Sequence, residues 1–282
     1  MPGTTRYFED FRLGECVHSP EFTLTVDDLT DFARLSGDRH PMHLPSADGL
    51  QDGPIAHGPL GLARYFGTVH ESGALRDSVI ALLDTNWRYL APLRVGQRLH
   101  YRTTVTRTRR ASAGDRGVVN RWIELRTSGD QTLQQGSSAV LVKAHGVANA
   151  DADPVANTPF SPRWARALAT LLEKDELFSS TTELFDGGIG LASENDEVVL
   201  RVYRGAIIEA AGRTPAGPDF TLRGAEHSWA GLLTGPENDL IVRVHRGEFW
   251  AVGDTYTYLR LTAALQAIVD NLRVMHRAGA TA

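Results

Sequence analysis

Two short segments near the start of the chain bring together residue types that can carry out acid–base chemistry. Residues 36–43 read SGDRHPMH, which sets the carboxylate of Asp38 and the imidazole of His43 five residues apart on a loop broken by Pro41. A carboxylate and an imidazole held in different environments can act as a general acid and a general base. The spacing therefore indicates proton-transfer chemistry.

A glycine at the start of a predicted helix adds a second chemical element. Residues 55–61 read IAHGPLG, and Gly58 stands near the beginning of a helix predicted over residues 57–71. A backbone N–H at a helix N-terminus lacks an intrahelical acceptor and can bind an oxygen that gains negative charge. Together with Asp38 and His43, this group suits the addition of water to an activated carbonyl compound, or its removal.

The elements around these residues must position them. A helix is predicted to begin at Val26, where Thr25 is the N-cap and Asp28 completes a capping box, and to end at Gly37. The helix over 57–71 is largely apolar and is expected to be buried against a sheet. Strands are predicted over 79–90, 99–107, 118–127 and 133–144. One buried helix followed by a long antiparallel meander describes a hot-dog fold.

Composition excludes several classes of protein. The chain has 282 residues, which favours two domains over one. Its net charge of −5 and the lack of a basic stripe argue against a nucleic-acid-binding protein. The single cysteine, Cys16, permits no internal disulfide and no thiolate metal cage, which fits a reducing compartment. Since residues 1–15 do not read as a signal peptide and no apolar run is long enough to span a membrane, we expect a cytoplasmic protein.

The second half of the chain has a different pattern. Domain boundaries are predicted at 1–145 and 162–282, joined by a linker over residues 146–161 that is rich in Ala, Asn, Asp and Pro. Helices are predicted over 162–174, 225–234 and 255–277, a hairpin over 197–211, a strand over 220–223 and a second hairpin over 240–252. This pattern is α+β, and its helices and sheet could enclose an apolar cavity.

Residues 6–145 resemble the MaoC-like, R-specific enoyl-CoA hydratases, a hot-dog family. That family carries S-G-D-x-N-P-[LI]-H followed by [PI]-[IVA]-H-G, and residues 36–43 and 54–58 match most of both motifs. Residues 86–97, NWRYLAPLRVGQ, resemble the family's F-x-x-P-x-x-x-G-D segment. His40 stands where the family prefers Asn, Met42 replaces Leu or Ile, and the stretch between the motifs is shorter. These departures concern the substrate more than the reaction.

The resemblance implies roles for the residues of the two motifs. Asp38 and His43 would hold and deprotonate a water and pass a proton to the α-carbon, while Gly58 would donate its N–H to the thioester oxygen. His40, Met42, His57 and Pro59 are expected beside the substrate. The implied reaction interconverts trans-2-enoyl and 3-hydroxyacyl thioesters carried on coenzyme A or acyl carrier protein. It needs no cofactor or metal, and a homodimer is expected.

Residues 162–277 resemble sterol carrier protein type 2-like domains, on the segments PDFTL (218–222), RGEF (246–249) and GD (253–254) with Trp229. This resemblance implies an apolar tunnel for an acyl chain or sterol as a second ligand. We expect Trp229, Leu233, Phe249 and Leu265 to line it. The alternative is that these side chains fill an ordinary core.

Other readings remain open at this point. The first half could be a thioesterase or a specialised pathway enzyme that uses the same pair, or a non-catalytic acyl- or lipid-binding protein. His57 could be a structural residue bonded to backbone. The histidines near Asp38 have neither HExxH nor facial-triad spacing, so no metal site is predicted. The arginines over 107–116 are expected to be solvated hairpin charges, with contact to coenzyme A phosphates as the alternative.

Overall fold

The computed structural model describes residues 4–44, 53–212 and 217–280. Contacts divide the chain into two units. The first contains Met1–Phe11, Glu15–Val105 and Asp115–Val147, and the second contains Arg12–Gly14, Thr106–Gly114 and Ala148–Ala282. Among the described residues, none of the helices combines the length and the apolar character that crossing a membrane requires.

The first unit is a six-stranded sheet with a helix packed against it. Its elements are β1 (Cys16–His18), β2 (Phe22–Thr23), α1 (Val26–Ser36), α2 (Gly58–Glu71), β3 (Val79–Tyr89), β4 (Arg98–Arg110), β5 (Arg116–Thr127) and β6 (Thr132–Lys143). The strand order is β1-β4-β5-β6-β3, and β2 also pairs with β4. The pairings of β1 and β2 with β4, and of β3 and β5 with β6, are antiparallel.

Helix α1 forms where its local signals predicted it. Thr25 accepts a hydrogen bond from the backbone N–H of Asp28, whose carboxylate accepts from the N–H of Thr25 in return. Gly37 ends the helix in the left-handed region, at φ 78°. The helix therefore stops immediately before Asp38, and its end sets where the loop that carries Asp38 and His43 begins.

Helix α2 is the buried helix of the predicted hot-dog fold. Leu60 and Tyr65 belong to a core cluster that includes Ile123, Leu125 and Leu133 from the sheet. The buried hydroxyl of Tyr101 donates to the carbonyl of Gly61 at 2.6 Å, which ties β4 to the helix. Burial raises the pKa of Tyr101 far above its ordinary value, so this donor keeps its proton. The predicted hot-dog fold is confirmed.

The second unit combines a mixed five-stranded sheet with helices. Its elements are α3 (Pro162–Leu172), α4 (Glu176–Thr181), β7 (Asp186–Ala192), β8 (Glu197–Tyr203), β9 (Ala206–Ala211), β10 (Phe220–Gly224), α5 (Glu226–Thr234), α6 (Leu240–His245), β11 (Phe249–Gly253), α7 (Thr255–Arg260) and α8 (Thr262–Ala280). The strand order is β11-β10-β7-β8-β9, with β10 and β7 parallel. The α+β class is confirmed, as is the predicted hairpin of β8 and β9.

Two predicted elements of the second unit are wrong. The hairpin over 240–252 does not form, because Leu240–His245 is the helix α6 and β11 pairs with β10 instead. Arg243 bonds to Asp239 one turn earlier and to Glu248 beyond the helix, which holds this apolar run in a helical turn. The helix over 255–277 is divided at Leu261 into α7 and α8.

Residues 146–161, which were predicted to be a linker, contain regular structure. Two short 3-10 helices lie within them, at Ala150–Ala152 and Val155–Asn157. Phe160 is buried and packs in the core of the second unit, with its ring 5.4 Å from that of Trp164. The boundaries of the two domains stay a prediction.

Candidate active site

The loop after α1 is organised by its own polar side chains. The N–H of Asp38 donates to the hydroxyl of Ser36, and the carboxylate of Asp38 accepts from the N–H of His40. Pro41–His43 then form one turn of 3-10 helix, in which Pro41 supplies its preset φ at the first position. After this turn the side chain of His43 is buried, whereas Asp38 is exposed.

The hydrogen bonding of His43 determines which of its nitrogens faces the carboxylate. His43 is 9% exposed, and its Nδ1 lies 2.6 Å from the carbonyl oxygen of Ile55. A carbonyl only accepts, so Nδ1 carries the proton and Nε2 of the neutral ring presents a lone pair. That Nε2 lies 3.8 Å from Oδ2 of Asp38. Two acceptors face each other across this gap, which is too long for a direct hydrogen bond and suits a bridging water.

His57 is a buried partner of both residues. It is 1% exposed, and its Nε2 donates to the backbone carbonyl of Asp38 at 2.9 Å. Its ring stacks on that of His43, with the centroids 4.0 Å apart, and its centroid also lies 5.1 Å from that of Phe32. The structure therefore supports the reading of His57 as a residue bonded to backbone. Its Nδ1 is buried and has no hydrogen-bond partner among the described residues.

The fold brings together three residues of types that can bind a metal, which the sequence spacing did not indicate. One donor atom from each of Asp38, His43 and His57 lies within 4.8 Å of the other two. Here Asp38 and His43 come from one loop, and His57 comes from the start of α2.

Gly58 opens α2 with an uncapped N-terminus. It follows His57, the N-cap residue, whose side chain makes no capping hydrogen bond. Pro59 has no N–H and the N–H of Leu60 bonds to the carbonyl of His57, so the N–H of Gly58 is the group of this turn that an acceptor could bind. A Cβ added to Gly58 would lie 3.4 Å from the ring of Tyr89, which is ordinary van der Waals contact.

A cavity of about 390 Å³ lies in front of His43 and Gly58. It is lined by His43, Ile55, Ala56, Gly58, Tyr89, Leu90, Ala91, Pro92, Leu93 and Gln134. The wall is mainly apolar with a few polar groups, as in sites for small organic ligands. His40, Met42 and Pro59 are not part of this described lining; all three are exposed, and the ring of His40 lies 6.2 Å from that of His43.

Gln134 and Tyr89 line the cavity but were not predicted as site residues. The side-chain oxygen of Gln134 accepts from the indole N–H of Trp87 at 3.0 Å, which leaves the amide NH₂ 3.5 Å from the carbonyl of Gly58. Gln134 is 2% exposed. The sequence offered one signal for Gln134, a polar residue at an inward-facing position of a strand with alternating pattern. Its contact with Gly58 could not be predicted, because the two residues are 76 positions apart.

The residues predicted to line an acyl tunnel in the second unit lie in its core. Trp229, Leu233, Phe249 and Leu265 are each at most 3% exposed. The rings of Trp229 and Phe249 meet edge to face at 4.9 Å, and the indole N–H of Trp229 donates to the carbonyl of Ala192. These contacts account for the side chains as packing, and ligand binding by the second unit stays a prediction.

Two of the arginines over 107–116 are not solvated hairpin charges. Arg110 is buried and donates through two nitrogens to the carboxylate of Asp153, at 2.8 to 3.1 Å. Arg107 pairs with Asp196 and lies 3.7 Å from Glu226. Since carboxylates of the same chain already occupy these guanidinium groups, their contact with coenzyme A phosphates gains no support.

Three known proteins are similar to parts of the chain. Protein MaoC of Klebsiella aerogenes is 28% identical over 105 residues, which are 36% of this chain and 31% of that protein. The chain thus spans about a third of the length of this curated relative. An unliganded R-hydratase from Pseudomonas aeruginosa is 19% identical, with a TM-score of 0.43, over 51% of this chain and 92% of that one. A structure of sterol carrier protein 2 is 24% identical, with a TM-score of 0.36, over 41% of this chain and 97% of that one.

A family model matches the part of the chain that holds the candidate site. The model is described as a MaoC like domain, and the match covers residues 11–122. This range includes Asp38, His43, His57 and Gly58. Residues 11–122 are therefore similar to MaoC-like domains.

Proposed function

We propose that the chain interconverts trans-2-enoyl and 3-hydroxyacyl thioesters by addition and removal of water. The observation that carries this proposal is the 3.8 Å gap between Nε2 of His43 and Oδ2 of Asp38, beside the uncapped N-terminus of α2. A water in this gap would donate one hydrogen to the histidine nitrogen and the other to the carboxylate. The cavity in front of it offers an apolar wall for an acyl group.

The hydration step follows from this arrangement. His43 Nε2 takes a proton from the water as its oxygen bonds to the β-carbon of the enoyl thioester. The electron pair of the double bond moves toward the thioester oxygen, where the N–H of Gly58 binds the developing negative charge. The imidazolium, stabilised by Asp38, then returns a proton to the α-carbon. Dehydration is the reverse, and an oxyanion donor of this kind is worth about 3–4 kcal/mol of barrier.

His57 supports the pair without touching the reacting atoms. Its bond to the carbonyl of Asp38 holds the loop, and its ring stacks against His43. Because its Nε2–H is engaged in that bond, His57 is a positioning residue in this scheme. The role agrees with its nearly complete burial.

A direct assay separates this proposal from its rivals. The full chain is incubated with a trans-2-enoyl-CoA, and the loss of enoyl absorbance and the formation of a 3-hydroxyacyl product are followed. Release of free coenzyme A thiol instead would identify a thioesterase. Binding with neither product would identify a non-catalytic acyl-binding protein. Parallel assays with the same acyl group on acyl carrier protein determine the carrier, and no added cofactor or metal should be required.

The proposed working form is a homodimer. Strand β3 ends the strand order of its sheet, so one side of its backbone has no strand beside it among the described residues. Val79, Ile80, Leu82 and Leu83 on this strand are 42–52% exposed. A long apolar edge strand is a surface that a second copy of the chain could cover.

A further inference from the structure

We infer that the hydroxyl of Tyr89 is a second hydrogen-bond donor to the thioester oxygen, and that Tyr89 and the N–H of Gly58 form the oxyanion site together. This role rests on the proposed function and adds a catalytic group from the sheet to Asp38 and His43. Tyr89 is the last residue of β3 and lines the same cavity as His43 and Gly58.

The strand register carries Tyr89 to the start of α2. Tyr89 pairs with Gln134 across β3 and β6, and residues directly opposite each other on neighbouring strands point to the same face of the sheet. The amide NH₂ of the buried Gln134 lies 3.5 Å from the carbonyl of Gly58. The side chain of Tyr89 therefore faces the first turn of α2 as well.

The hydroxyl lies on the side of Gly58 toward which its N–H points. In an α-helix the Cα–Cβ bond is tilted toward the helix N-terminus, and the N–H groups of the first turn point the same way. A Cβ at Gly58 would lie 3.4 Å from two ring carbons of Tyr89 and 3.7 Å from its hydroxyl oxygen. With standard bond lengths, an oxygen that accepts from the Gly58 N–H lies about 3.5 Å from the same Cβ position. A single thioester oxygen therefore has room to contact both groups.

The hydroxyl hydrogen of Tyr89 is not used within the described part of the chain, where none of the residues makes a hydrogen bond to it. Gln134, the other uncharged polar side chain of the cavity wall, is already engaged. Its oxygen accepts from the indole of Trp87, and its NH₂ approaches the carbonyl of Gly58. Tyr89 is therefore the side chain of this wall that has a donor to offer the substrate.

The charge that develops during hydration needs such a donor. As water adds to the β-carbon, the electron pair of the double bond moves to the thioester oxygen, and it leaves that oxygen when the α-carbon is protonated. Tyr89 donates a hydrogen bond and keeps its proton throughout, so the balance of the step is unchanged. A donor aimed at an oxygen that gains charge stabilises the transition state more than the bound substrate.

The variant Tyr89→Phe tests this role in the full chain. It removes the hydroxyl and keeps the ring that lies against Gly58, so Tm should not change. We expect kcat for hydration of a trans-2-enoyl-CoA to fall about tenfold, with KM changed less than about threefold. The expected loss is smaller than the roughly 100-fold effect of an enclosed donor, because Tyr89 is 54% exposed to water.

Two further measurements make the result specific. The affinity of Tyr89→Phe for the saturated acyl-CoA of the same length, which cannot be hydrated, should stay within about threefold of the parent's. Tyr203→Phe changes a tyrosine of β8 in the second unit that is 45% exposed, and it should turn over as the parent does.

The outcomes separate the role of Tyr89 from the proposed function. An active parent and a Tyr89→Phe variant with the same kcat overturn the role and leave the hydratase function in place. Weaker KM and weaker binding of the saturated thioester, at unchanged kcat, also overturn it, because the hydroxyl then contacts only the bound substrate. A parent that hydrates no enoyl thioester overturns the proposed function and the role of Tyr89 together.

Discussion

Nε2 of His43 lies 3.8 Å from Oδ2 of Asp38, and the carbonyl of Ile55 determines that it is the unprotonated nitrogen of the neutral ring. The position of the proton on His43 is therefore set by backbone that belongs to a different segment. The gap has room for a water that bonds to both side chains. This relationship is the physical basis for treating His43 as the base and Asp38 as the carboxylate that stabilises its protonated form.

Gly58 should tolerate alanine better than valine. A Cβ at this position would lie 3.4 Å from the ring of Tyr89, which is ordinary contact, whereas the extra methyl groups of valine would enter the cavity. Valine keeps the backbone N–H, but its methyl groups would hinder the approach of the thioester oxygen. We therefore expect Gly58→Val to lower kcat for enoyl thioester hydration by about 100-fold, the scale of an oxyanion contact, with little change in Tm. Gly67→Ala, on the same helix, is the control because its Cβ would meet nothing within 4 Å. Full turnover in Gly58→Val would remove the proposed oxyanion role.

Gln134→Leu should destabilise the first unit. The substitution leaves the indole N–H of the partly buried Trp87 without its acceptor, which costs about 1 kcal/mol. Urea unfolding of Gln134→Leu, Trp87→Phe and the double variant measures the coupling. The double variant should be less destabilised than the sum of the two single variants. Strictly additive losses would show that this hydrogen bond contributes nothing.

Local signals predicted the helices that carry the site, but not all the contacts within it. Thr25, Asp28 and Gly37 act within a few residues of one another, so the limits of α1 could be read from the sequence. The apolar run of α6 is short enough to fit a strand or a helix, and the choice was made by the ion pairs of Arg243 with Asp239 and Glu248.

The motifs identified Asp38, His43 and Gly58, and they left the remaining contacts open. These contacts are tertiary and depend on how distant segments pack together. They are the bond of His43 to the carbonyl of Ile55, the stacking of His57 on His43 and the approach of Gln134 to Gly58. Such contacts follow from strand register and loop path, and a single sequence does not specify either. The same holds for the grouping of Asp38, His43 and His57, which come from a loop and from the start of a helix.

Strand β3 should hold the homodimer together. Leu82 and Leu83 are about half exposed on the edge strand, so the double variant Leu82→Lys/Leu83→Lys would place two charges in the interface. We expect a dimeric mass for the parent and a monomeric mass for this variant by sedimentation. Leu184→Lys, at an apolar residue that is 90% exposed in the second unit, should remain dimeric. A monomeric parent, or a variant that stays dimeric, would contradict this assignment.

The stability of the second unit should fall in mild acid because of His276. Burial, with the nearby charges of Arg273 and Arg277, lowers the pKa of His276 below its ordinary value of 6.5. The unfolded chain therefore takes up a proton before the folded chain does, so the free energy of unfolding is full above pH 6.5 and declines as pH falls through the folded pKa. Denaturant unfolding against pH should show a shallower decline in His276→Gln than in the parent. An identical decline in both would show that His276 does not cause it; His70→Gln is the matched control.

The most direct test of the account is the turnover of Asp38→Asn and His43→Gln. Both substitutions nearly preserve shape and lie on a loop, so Tm should change little. Enoyl thioester hydration and Tm are measured on the same preparations of the parent and the two variants. The account predicts that each variant folds and that its kcat falls by about 100-fold or more, the scale of general acid–base catalysis. A folded variant of either kind with the full turnover of the parent would contradict it.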